Sequence, residues 1–143
     1  MGAAPSSVLA LSGAITETVG TLKLSGASVV DFGTGAARMN FANSSAETWT
    51  GGLSVWNWSG NVGGGGTDQL FFGTGLGGLT PGQATSVQFF SGAGTGGLGA
   101  GNLLASGELV PVPEPAALLS VPVLLFAFSS RELARSRPGA QGV

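Results

Sequence analysis

The chain has 143 residues, of which 27 are Gly and only 8% are charged, and its formal net charge is −2. It contains no Cys, His or Tyr, which removes thiol nucleophiles, imidazole bases, Ser-His-Asp triads and the usual zinc, haem and iron–sulfur ligands. One domain with a tail fits this length, the acidic balance argues against a nucleic-acid partner, and neither an enzyme nor a bound cofactor is expected.

Residues 1–19 form a lead. They lack a positive n-region, and the apolar run around Val8 and Leu11 is too short for a secretory signal. The expectation is a C-terminal piece of a longer chain, with a raw edge near residue 20 where a preceding coil stacked.

Residues 20–110 read as a β-strand-rich body. The apolar period there is two rather than 3.6. "TLKLSG" alternates Leu22 and Leu24 with Thr21 and Lys23, "SVVDFG" pairs Val30 with Phe32, and "RMNFA" pairs Met39 with Phe41. "LSVWNW" follows, with Trp56 and Trp58 two apart and therefore on one strand face. "DQLFFG", "SVQFFSG" and "ASGELVPV" continue the series. Each of the first four runs ends in Gly, Asn or Ser, the punctuation of strands and turns. Short strands recurring about every nine or ten residues suit a β-solenoid, that is, a parallel β-helix, or alternatively a small β-sandwich. No helix is expected before the tail.

Two glycine-rich stretches invite a site. Residues 63–72, "GGGGTDQLFF", match the nine-residue calcium repeat, with Asp68 as the carboxylate and Leu70 as the inward apolar residue. A calcium roll needs stacked copies to supply six to eight oxygens, and no copy follows in register. The stretch therefore reads as a turn in which Asp68 bonds nearby backbone before a strand carrying Leu70 and Phe72 inward; Asp68 is the one weak calcium candidate. The G-x-G-x-x-G matches at Gly73 and Gly92 precede no amphipathic helix and read as chance.

Trp49, Trp56 and Trp58 are expected in the core, with a sugar-stacking face as the alternative. Pairings of Glu17 with Glu47, or of Asp31 with Asp68, have no motif to fix an acid–base spacing, so no catalytic residue is assigned.

The tail has three parts. Residues 111–115 carry Pro111, Pro113 and Pro115, which fix an extended linker and cannot join a central strand. Residues 116–130 are uncharged and read as a membrane helix, short and with Pro122 inside it. Residues 131–143 begin with Arg131, Arg135 and Arg137, a basic stop of the positive-inside kind.

This order, Val112-Pro113-Glu114-Pro115, an apolar segment, then an arginine cluster near the C-terminus, resembles the PEP-CTERM sorting signal. More loosely, residues 19–115 resemble the C-terminal end of autotransporter-like β-helical proteins that bear it. The resemblance implies a Gram-negative, exopolysaccharide-producing host, with anchoring in the inner membrane during export. An exosortase partner would process the chain near Glu114, leaving the body at the cell surface or in the extracellular matrix. Exopolysaccharide is the further partner implied. The sequence departs from the pattern at Pro122 and at Glu132 within the basic cluster.

Overall fold

The computed structural model describes residues 7–113, which fall within one compact unit ending at Pro113. Its strands are β1 Ser7–Ala10, β2 Ile15–Thr18, β3 Ser28–Asp31, β4 Ala37–Phe41, β5 Leu53–Trp56, β6 Gln69–Phe72, β7 Val87–Phe90, β8 Gly97–Leu103 and β9 Leu109–Val112. A 3-10 turn at Leu76–Gly78 and a five-residue helix α1, Pro81–Thr85, lie between β6 and β7. The described body is therefore mostly β-sheet, as its period-two pattern requires.

Up to β7 the chain visits two sheets alternately. One has six strands in the order β1-β3-β5-β7-β8-β9, and the other has three in the order β2-β4-β6. From β1 to β7 the first sheet is parallel, and only the β7–β8 and β8–β9 pairs are antiparallel. Both pairs of the second sheet are parallel.

The register lines apolar residues up in columns. Leu9, Val30, Val55 and Phe89 are successive partners across the first sheet. Met39 faces Leu70, and Phe41 faces Phe72, across the second. The Phe41 and Phe72 rings stack with centroids 5.0 Å apart and an interplanar angle of 13°. Val55, Leu70, Phe72 and Phe89 are wholly buried, each worth about 1.5–3 kcal/mol of transfer free energy. This is why the alternating runs fold as strands: a slip of one residue would turn the whole column outward.

The corners between strands approach each other closely. A Cβ on Gly51 would collide with the backbone of Gly26, one crossing earlier in the chain. Only glycine permits that approach. Nearby, Leu24 makes an isolated parallel bridge with Trp49. The expected strand at residues 21–26 shrinks to that bridge, because the Leu22 N–H donates to the Ser44 hydroxyl at 2.8 Å instead of a ladder carbonyl.

The expectation of no helix before the tail is corrected by α1. Thr80 and Gln83 form a capping box: the Gln83 N–H donates to Thr80 Oγ1 at 3.1 Å, and the Thr80 N–H donates to Gln83 Oε1 at 2.8 Å. Pro81 at the first helical position suits the same end. Gln83 Nε2 then donates to the carbonyls of Ser44 and Glu47, both at 2.9 Å. A single turn so tied is stable without an amphipathic stripe.

The two ends of the body differ. β1 and β2, which lie within the stretch read as the lead, are edge strands of their sheets. Among the described residues the unpaired sheet edges thus lie at residues 7–18 rather than near residue 20. Val8, Leu9 and Val19 are 51%, 42% and 42% exposed there. Glu17 stands in the inward column above Met39 and Leu70, an inward-pointing charge of the kind that discourages edge pairing.

At the other end the β8–β9 hairpin spans both sheets. The Phe72 N–H donates to the Gly107 carbonyl at 2.8 Å, and Phe71 bridges Glu108 antiparallel. Leu109 and Val110, at the start of β9, are themselves buried. β9 runs to Val112 and so takes in Pro111, which sits on an edge strand where a missing N–H is tolerated.

Candidate functional site

Asp68 immediately precedes β6 and is 1% exposed. Its Oδ1 accepts from the Ala37 N–H at 3.2 Å, and its Oδ2 accepts from the Ser59 N–H at 2.8 Å and the Ser59 hydroxyl at 2.9 Å. Both oxygens are thus engaged by the corners of two crossings. Gly64 and Gly65, with φ of 91° and 78°, make the turn that precedes it, and Leu70 and Phe72 point inward. Among the described residues no group of three His, Cys, Asp or Glu side chains could hold a metal ion.

The other acids are dispersed. Glu47 accepts from the Thr21 hydroxyl at 2.8 Å. Asp31 Oδ1 accepts from the Gly33 N–H and from Asn57 Nδ2, both at 2.8 Å. Glu108, which no motif singles out, is 2% exposed. Its Oε2 accepts from the Gly65 N–H at 2.8 Å, and its Oε1 is buried without a hydrogen-bond partner among the described residues.

The tryptophans do not share a surface, and the expectation that Trp56 and Trp58 share a strand face is corrected. β5 ends at Trp56, and Asn57 adopts φ 57°, a left-handed conformation that Asn tolerates better than most residues. The chain turns there, so Trp58 enters the core at 6% exposure while Trp56 stays half-buried. Trp58 meets Phe89 edge-on at 5.3 Å. Trp49 packs its edge against Phe72 at 6.0 Å, and its Nε1 donates to the Leu22 carbonyl at 2.8 Å.

A different constellation lies on the outer face of the three-stranded sheet. The register sets Thr18, Asn40 and Phe71 side by side on β2, β4 and β6, with Thr16, Arg38 and Gln69 as the neighbouring row. The Arg38 guanidinium carbon sits 4.1 Å from the centroid of the Phe71 ring. Arg38 Nε donates to Asn40 Oδ1 at 3.0 Å, and Asn40 Nδ2 donates to the Glu17 carbonyl at 3.0 Å and to Thr18 Oγ1 at 3.3 Å. Thr16, Thr18, Arg38, Asn40 and Phe71 line a groove of about 580 Å³ that extends to Thr74 and Ser106. No acidic side chain lines it, and no salt bridge engages Arg38 among the described residues.

Val112 and Pro113 of the sorting motif are described, and Val112 is 51% exposed. Glu114, Pro115, the segment 116–130 and Arg131, Arg135 and Arg137 lie outside the described residues. No described helix is long and apolar enough to cross a membrane. Comparison with known proteins finds no matching family model, no matching curated protein and no matching solved structure.

Proposed function

We propose that the chain is a non-enzymatic surface or extracellular-matrix protein of an exopolysaccharide-producing Gram-negative bacterium. Residues 116–130 anchor it in the inner membrane during export, Arg131, Arg135 and Arg137 stop its transfer, and an exosortase processes it near Glu114. The observation that carries this reading is the order of three parts in the tail: Val112-Pro113-Glu114-Pro115, an uncharged segment, then the arginines.

The body is proposed to be a short β-solenoid. Support comes from the parallel ladders, in which Ser7, Ser28 and Leu53 are successive partners, and Leu53 in turn partners Val87. Such ladders do not belong to an antiparallel sandwich. Processing beyond Pro115 leaves β9 whole, since that strand ends at Val112. A carbohydrate-binding module built on Trp49, Trp56 and Trp58 is disfavoured, because two of these rings pack inward against Phe72 and Phe89.

Intact-mass analysis of the secreted protein tests the sorting reading against a Glu114→Ala variant. The expected result is a parent chain ending near Pro115 and a variant retained in the membrane. A parent chain found in the inner membrane and still ending at Val143 would overturn it.

A further inference from the structure

We propose that the groove across β2, β4 and β6 binds a carboxylated polysaccharide, a uronate-bearing glycan, with Arg38 as the carboxylate-binding residue. The inference names a ligand class for a matrix protein but does not depend on export, because an unprocessed chain carries the same groove.

The argument starts from Arg38. It and Lys23 are the only cationic side chains among residues 7–113, against five acids. An exposed arginine in an acidic body ordinarily finds a carboxylate, yet this one rests on an aromatic ring and a neutral amide. Stacking on Phe71 and the bond to Asn40 hold the guanidinium in one orientation, so little side-chain entropy remains to be lost on binding. Only Nε–H is engaged by Asn40. The four Nη hydrogens remain to grip a carboxylate in two parallel bonds.

The surroundings indicate what carries that carboxylate. Thr16, Thr18, Thr74 and Ser106 bring hydroxyls to the groove, while Val19 and Ala42 add small apolar patches. Hydroxyl donors and acceptors beside apolar patches complement a sugar ring, which offers hydroxyls at its edge and C–H bonds on its face. The side chains repeat at the strand spacing of roughly 4.8 Å, so an extended polymer crossing the strands meets a regular series of partners. An acidic peptide would add along a sheet edge through its own backbone, and this groove lies on a face. A nucleic acid would require several phosphate-neutralising cations, and the groove has one.

The test is calorimetric titration of the full-length chain with a galacturonate tetramer, its methyl ester and a neutral glucan tetramer. Binding is expected for the galacturonate, weaker by about tenfold or more for the ester and for Arg38→Gln, as for loss of charge-assisted hydrogen bonds. Arg38→Lys should fall between, since it keeps charge without the planar fork. Raising the salt concentration should weaken the galacturonate complex and leave the ester's affinity unchanged. Asn40→Asp, which sets a negative charge beside the guanidinium, should reproduce the loss and guards against a folding defect in Arg38→Gln. Equal affinity of parent and Arg38→Gln with unchanged melting temperature, or no galacturonate binding by the folded parent, would falsify the assignment. Poly-glutamate bound as tightly as the galacturonate would overturn it in favour of an acidic protein partner.

Discussion

At Asn57 a single backbone angle decides the fate of two tryptophans. With φ at 57° the strand ends one residue early, and Trp58 is delivered to Phe89 while Trp56 stays half-buried. The Asn57 amide secures the turn through Asp31 on the preceding crossing. Trp58 Nε1 is buried with no hydrogen-bond partner among the described residues, so the indole contributes by packing and carries an unmet polar cost. Trp58→Ala should therefore destabilise the body by about 3–5 kcal/mol, as for other buried aromatics. Trp58→Phe should cost much less, because it also removes the orphaned N–H. Trp56→Ala should cost less than Trp58→Ala. Urea denaturation of the three variants checks the ranking, and equal losses at Trp56 and Trp58 would contradict the turn at Asn57.

Among the elements, α1 is held chiefly by one side chain. Gln83 closes the capping box and reaches the Ser44 and Glu47 carbonyls. Gln83→Ala should remove about 2–3 kcal/mol, the sum of a lost cap and two orphaned acceptors. Gln83→Glu keeps the cap but turns a donor into an acceptor facing two carbonyls, and should be at least as damaging near neutral pH. Thermal melts of both variants measure this.

The same scale shows what was legible beforehand. β3, β4, β5, β6 and β7 could be read because each buries one face, and burial writes a period of two into the sequence. β1 and β2 could not, because Ser7–Ala10 and Ile15–Thr18 are almost wholly exposed and no buried face selects an alternation. β8, with glycine at three of its seven positions, lacks the large residues that would show a pattern. The capping box at Thr80 and Gln83 was visible, but one helical turn has no periodicity to support it. Arg38 and Phe71 are distant in sequence, and only the parallel register lays one on the other. The turn at residues 63–68 was legible; the reach of Asp68 to Ala37 was not, since it depends on which crossings become neighbours.

For the whole molecule, stability should be graded from one end to the other. Among the described residues β1 and β2 have partners on one side only and expose Val8, Leu9 and Val19, whereas β4 and β5 are paired on both sides and bury their columns. Amide hydrogen exchange should release β1 and β2 first and β4 and β5 last, because local opening follows contact density and burial. Uniform protection across the four strands would contradict an open end at β1 and β2.

The hairpin that closes the opposite end sets an order in time as well as in space. Gly107, Glu108 and Leu109, which meet β6 and cover the core, come late in the body's sequence. On the ribosome the chain emerges N-terminal part first, so the open edge is synthesised before its lid. Until Val112 has cleared the exit tunnel, the last coil lacks its cover and Phe72 its donor bond to Gly107. A nascent chain stalled before residue 107 should therefore remain open to proteases at β6 and β7, and one stalled far enough beyond residue 112 to free the hairpin should resist them. The body becomes a finished object only with its last strand.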